Sequence, residues 1–433
     1  MKRAAVALGV VALLHPASAV AHATLNSTTP AVQSSVGSPP FAVVLRFDQS
    51  VTAVDRSIEV FAADGEAVAG SLWVGDRGRL LRASLAGVAR GAYTVRWRVL
   101  SADGHIGSGL FTFGVGVAAP PPTEAFGAKG LGWRDDIARW AAFVALAALL
   151  GPLVLRLVIL RTTSVPARLE NAFHVAATVG AFAAINVSIL AFVIRAENAL
   201  QLGFVDLLYG NLEPFAEHTR FGIAFLVSLI GFAFVATLLL LAWVLDRPSL
   251  QWPALVGATL LASSFSLSGH QAIEPNSSVA TQLADWAHLV AASIWAGGVV
   301  TLAALVWPLA PSLRRAAFLG FSRVATVLVA VLILAGVYLT IVRLPELADL
   351  WETGYGRMLL VKLSIVAVAL GWGAAHHLLV RPRLERGDTP RGVGRSLVGE
   401  GAVAVALLLV AAMLVNSSPP QVSQQPRLAE PAR

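Results

Sequence analysis

The 433-residue chain contains no cysteine, which excludes a disulfide framework, a thiolate metal site and thiol chemistry. Methionine is almost as scarce, with Met1, Met358 and Met413 the three present. Charge is thin as well: 13% of residues are charged against 56% hydrophobic, too apolar for a soluble protein and pointing to a chain that is mostly membrane. The formal net charge of +7 comes without a basic, aromatic-interleaved patch, so nucleic acid is not an expected partner. The arginines instead cluster beside apolar segments, as membrane anchors do. A nucleotide-binding loop and a phosphorylation motif are also lacking, which excludes ATP-driven pumping within this chain.

What is present begins with Lys2 and Arg3, an apolar run from Ala4 to Leu14, and the small-x-small sequence Ala19-Val20-Ala21. This pattern predicts a signal peptide over residues 1–21 and a mature chain that starts at His22. Residues 22–118 carry short alternating runs (Ala42–Phe47, Ser57–Phe61, Arg79–Ala83) separated by Gly, Asp and Pro, the spacing of a small β-barrel or sandwich. Two further runs read as a hairpin. Tyr93, Val95, Trp97 and Val99 alternate with Thr94, Arg96 and Arg98, then Ser101-Ala102-Asp103-Gly104 breaks the pattern before Phe111, Phe113 and Val115 resume it. Residues 119–135, with Pro120-Pro121-Pro122, read as a semi-rigid linker.

An N-terminal His offers an amine and an imidazole nitrogen from one residue. With the imidazole of His105 and the carboxylate of Asp103 at the hairpin tip, His22 completes a nitrogen-rich donor set with one oxygen, suited to the tetragonal geometry of Cu(II). The alternative is a plain Asp-Gly turn with a bystander histidine.

His22-Ala23-Thr24-Leu25, Thr29-Pro30-Ala31, Leu45-Arg46-Phe47 and Tyr93-Thr94-Val95-Arg96-Trp97 leading into Ser101-Ala102-Asp103-Gly104-His105 resemble the periplasmic copper-binding family CopC over about a hundred residues. The resemblance implies an all-β Greek-key barrel or sandwich, and Cu(II) ligation by His22, Asp103 and His105. Many members hold Cu(I) in a Met-rich segment. Here no methionine lies in the mature soluble part, so the resemblance implies a Cu(II)-only variant. Asp48-Gln49 also departs from the family's Phe-Ser-Glu-Pro-like run, leaving Asp48 open as an auxiliary oxygen ligand.

Residues 136–416 contain eight apolar stretches able to cross a bilayer: Ile137–Leu160, Ala172–Ile194, Phe221–Leu245, Pro253–Leu267, Ala280–Trp307, Val324–Val342, Leu359–Val380 and Leu397–Val415. A polar tail, residues 417–433, follows. With the N-terminus outside, Arg161, Arg168, Arg247, Arg314, Arg315 and the arginines from Arg381 to Arg395 fall on the cytoplasmic side. Arg195, Arg220, Arg343 and Arg357 fall outside, so the charge balance predicts both termini outside.

Ionisable groups in such helices are costly and mark function. Ser268-Gly269-His270 ends the fourth span and Asp285-Trp286-Ala287-His288 opens the fifth, with Trp295 on the same face as His288. One reading is a metal or proton-relay pair in which Asp285 fixes the His288 ring. The other makes Asp285 a helix cap, and Trp286 and His288 interfacial anchors.

These residues, with Phe321-Ser322-Arg323, Thr353-Gly354-Tyr355-Gly356-Arg357 and Leu359-Leu360-Val361-Lys362, resemble the membrane family CopD over the last five helices. The resemblance implies that His270 and His288, with Asp285 a weaker ligand, contact copper, and that a fused chain handles copper at the bacterial cytoplasmic membrane. Lys362 and Arg357 read as snorkelling residues of the seventh span. His218 reads as a loop residue. His174, His376 and His377, near Glu400, read as interfacial, with an exit site as the alternative.

Three functions compete. The first is a non-enzymatic copper transport or delivery protein, with the copper ion, the bilayer and a periplasmic copper donor or acceptor as partners. The second is a haem- or copper-based membrane redox protein such as a cupric reductase, with paired histidines on facing helices. The third is oxidative copper chemistry at the N-terminal histidine, disfavoured because Asp103 occupies coordination space.

Overall fold

The computed structural model describes residues 25–101, 106–119, 132–200, 220–267, 278–344, 346–388 and 390–417. The chain divides into two compact units, each taken here by itself.

The first is a two-sheet β-sandwich. Strands β1 (Leu25–Thr29), β3 (Ala42–Phe47), β6 (Leu80–Leu85) and β5 (Ala69–Gly75) form one sheet in that order. Strands β2 (Ser34–Val36), β8 (Ile106–Val115), β7 (Gly91–Ser101) and β4 (Val51–Ala62) form the other. Alternation explains the core: Val43, Leu45 and Phe47 of β3 meet Val95, Trp97 and Val99 of β7 and Phe111 and Phe113 of β8, all buried. Trp97 stands edge-on to Phe47 at 5.4 Å between centroids, and Tyr93 stacks on Phe113 at 5.2 Å. Gly109 faces Trp97 across the ladder, and a Cβ there would lie 2.7 Å from the indole ring. The hairpin is thus confirmed in register, Leu100 pairing with Ile106.

One expectation is corrected. The alternation along β7 implies one buried face, yet Thr94 and Arg96 on the other are buried too, at 0% and 3% exposure. The Arg96 guanidinium lies over the Phe61 ring at 4.8 Å, and Arg96 pairs in register with Glu59. Burial lowers its pKa from the ordinary arginine value, while Glu59 pulls it back up.

The second unit is helical. Its long helices are α1 (Gly132–Val154), α2 (Ala167–Leu200), α3 (Arg220–Val244), α4 (Gln251–Leu267), α5 (Val279–Thr301), α6 (Arg314–Arg343), α7 (Gly354–Ala375) and α8 (Val393–Asn416). Among the described residues seven helices are long and apolar enough to cross a membrane. The eighth stretch is α4, described over 17 residues as far as Leu267, with residues 268–277 outside the described residues.

Helices α1 and α5 are central and share both hydrophobic clusters, one with α6 and α8, the other with α2, α3 and α4. Their backbones touch at Gly151 and Gly297, where a Cβ on either glycine would collide with the other helix.

Candidate metal and proton sites in the helical unit

Helix α6 packs on α5 and α7 on α8, with little direct contact between α6 and α7. The space left between them is a cavity of about 1000 Å³, mostly apolar, with polar groups at its two ends.

Asp285, His288, Arg343, Lys362 and Tyr355 line one end. Asp285 accepts from Arg343 Nη2 at 2.6 Å, an ion pair between α5 and α6. The expected carboxylate support of the His288 ring is therefore corrected: the carboxylate is bonded to the guanidinium. His288 Nδ1 is buried and has no hydrogen-bond partner among the described residues. The ring is nevertheless within hydrogen-bonding reach of the Leu332 backbone carbonyl of α6 and lies against Gly336, where a Cβ would sit 3.3 Å from Cε1. Lys362 is near enough to Arg343, Asp285 and His288 to feel their charges.

The structural alternatives for this stretch are corrected too. Ser278, not Asp285, caps α5, accepting from Thr281 N at 3.1 Å. Trp286 Nε1 donates to the Thr259 carbonyl at 2.8 Å and ties α5 to α4. Trp295 lines the cavity with His288, as their shared face implied.

At the opposite end His376 and Glu400 are both buried. His376 Nδ1 is 2.8 Å from Glu400 Oε2, and Nε2 is 2.8 Å from Ser396 Oγ, which also accepts from Trp372 Nε1 at 2.9 Å. Phe318 of α6 packs edge-on against the imidazole at 5.7 Å. Reading His376 as a plain interfacial residue is thereby corrected. His377 is exposed and also lines the cavity, whereas His174 on α2 lies outside its lining.

Residues 25–116 match the family model described as the CopC domain. Residues 135–279 match the Copper resistance protein D-like N-terminal domain, and residues 315–414 match Copper resistance protein D. The chain is a fusion of a CopC domain with a CopD membrane region.

It is 26% identical over 429 residues to "Copper transport protein CutJ" of Bacillus subtilis (strain 168), covering 95% of this chain and 77% of that protein. It is 28% identical over 225 residues to "Copper resistance protein D" of Pseudomonas syringae pv. tomato, covering 48% of this chain and 72% of that one. The crystal structure of CopC from Methylosinus trichosporium OB3b is 32% identical and covers 22% of this chain and 93% of its own, with a TM-score of 0.19. The copper transport and resistance families therefore account for both parts of the fusion. In the CopD region the matches include the first three helices, which the sequence resemblance covers weakly beside the last five. Asp285 and His288 fall between the two matched CopD segments.

Of the ligand set expected in the CopC domain, His22, Asp103 and His105 lie outside the described residues, as do His270 and His218. Strand β7 ends at Ser101 and β8 begins at Ile106, so the two strands bracket the Asp103 and His105 positions in sequence. Among the described residues no group of three or more His, Asp and Glu has metal-binding proximity.

His288 and His376 do not form the pair that the haem reading requires. Gly336, beside His288, and Phe318, beside His376, are separated along α6 by roughly 27 Å at 1.5 Å per residue. One iron cannot span that gap.

Sequence reasoning missed Arg343 and Lys362 as cavity residues, placing the first in an outer loop and the second at the interface. It also missed Arg139, which lines the same cavity and donates to Asn416 Oδ1 at 2.6 Å, while Asn416 donates to Asp136. The available signal was a charge inside or bounding an apolar window.

Proposed function

We propose that this CopC–CopD fusion captures Cu(II) outside the cytoplasmic membrane and passes copper into the helical unit for movement across it. The CopC domain, proposed to span residues 22–118 after cleavage of residues 1–21, holds Cu(II) through the His22 amine and imidazole, His105 and Asp103. Residues 119–135 tether it to the membrane, with both termini outside. The role is that of a carrier, not an enzyme.

The observation that carries the membrane half is His288, a buried imidazole on the wall of a helix-lined cavity whose Nδ1 makes no well-formed hydrogen bond among the described residues. A buried imidazole nitrogen without a well-formed hydrogen bond is suited, in the neutral tautomer that leaves its lone pair free, to bind a metal. His270 is proposed as its companion, since it closes the segment that precedes α5. Asp285 is the weaker ligand because Arg343 already holds it. Asp285 offsets the charge of Arg343, which leaves Lys362 as the cation beside the proposed site.

Cellular copper content with and without the gene, in copper-limited and copper-replete medium, tests this reading and gives its direction. Higher copper with the gene indicates import and lower copper indicates export. Equal content in both media contradicts transport.

A further inference from the structure

We propose that His376, Glu400 and Ser396 form a protonation site that exchanges one proton with the cavity as a copper cation passes; the coupling rests on the transport reading above.

The bonding identifies the chemistry. Trp372 Nε1–H can only donate, so it occupies a lone pair of Ser396 Oγ. The Ser396 hydroxyl proton is then available to His376 Nε2, and Nδ1–H donates to the Glu400 carboxylate. Both ring nitrogens are thereby engaged. A metal could reach His376 Nε2 only by displacing Ser396, whereas the Nδ1 of His288 makes no well-formed hydrogen bond among the described residues. The arrangement is packed for this purpose: a Cβ on Gly399 would lie 2.6 Å from the Trp372 ring, so the glycine lets the indole reach Ser396.

In this form the cluster carries one negative charge, on Glu400. One added proton neutralises it, either on the carboxylate or on Nε2 as the Ser396 hydroxyl turns away, and no other bond changes. A lone negative charge in an apolar bundle is costly, so a cation in the same cavity and a proton on the cluster are alternative ways of relieving it.

Other charges do not supply the compensation. On α6, Arg314 donates to the Trp307 carbonyl and Arg315 to the Glu385 carbonyl. Beyond α7, Arg381 pairs with Glu385, and His377 is exposed. On α8, Arg395 is exposed. Among the described residues Glu400 is the carboxylate within ion-pair distance of His376. The cavity joins this cluster to the His288 end.

The test uses the full-length protein and the variants E400Q, H376Q and S396A. Infrared difference spectra between acidic and alkaline buffer are expected to show a protonated-carboxyl or imidazolium change that E400Q and H376Q lose and S396A shifts. Absence of any such change in the wild type overturns the protonation site, whether or not copper moves. In liposomes loaded with a pH dye, wild-type copper flux is expected to respond to an imposed pH gradient, and E400Q to lose that response while still moving copper. An E400Q protein with the wild-type gradient response overturns the coupling. Wild-type liposomes that move no copper contradict the transport reading and its coupling, and the infrared change still decides the protonation site.

Discussion

Asp285 and Arg343 illustrate what an ion pair inside a helical bundle demands of each partner. At 2.6 Å, with side chains 15% and 8% exposed, the pair is stable only while both members remain. Replacing Arg343 alone, as R343M, strands the carboxylate. The expected cost is about 3–5 kcal/mol, read as a lower unfolding temperature in detergent, with D285N/R343M recovering most of it. A double variant as unstable as R343M would show that the guanidinium is held by something other than Asp285. A second residue-scale prediction concerns His22. Mass spectrometry of the mature protein should place its terminus there, and Cu(II) binding by the full chain should weaken on acidification, because the amine and both imidazoles must shed protons to ligate. Binding that is unchanged into acid would contradict this donor set.

At the scale of elements, legibility followed the strength of the apolar pattern. The boundaries of β3 were legible to the residue because Val43, Leu45 and Phe47 alternate cleanly. Strand β5 was not, because it is an edge strand whose residues are nearly all exposed, and β2 is only three residues long. The burial of Thr94 and Arg96 escaped notice because polarity was taken for exposure, whereas an aromatic ring beneath the guanidinium lets it be covered. In the helical unit the spans were legible from length and hydropathy, but facing was not. The sequence spacing placed His288 and Trp295 on one face correctly, yet gave no means of seeing that Arg343, from another helix, would take Asp285. The α1–α5 contact yields an element-scale prediction: G297L drives a side chain into the Ala147 and Gly151 backbone and should destabilise the protein by about 1–3 kcal/mol or more. A G297A variant should be milder, and thermal unfolding in detergent compares the two. Equal stability of G297L and wild type would show that α1 and α5 are not in backbone contact.

For the whole molecule, the two parts of the fusion divide the chemistry between them. In the proposed reading the CopC domain supplies nitrogen-rich donors for Cu(II), and the CopD region supplies an apolar cavity with His288 at one end and the bonded His376 at the other. Copper must leave the first to reach the second, so the two sites are separable by mutation. The most direct measurement is copper uptake by membrane vesicles containing full-length wild type or H288A, with Cu(II) bound at the CopC domain followed by electron paramagnetic resonance on the same preparations. The account predicts an unchanged Cu(II) signal and lost transfer in H288A. Wild-type transfer by a normally expressed H288A protein would contradict it.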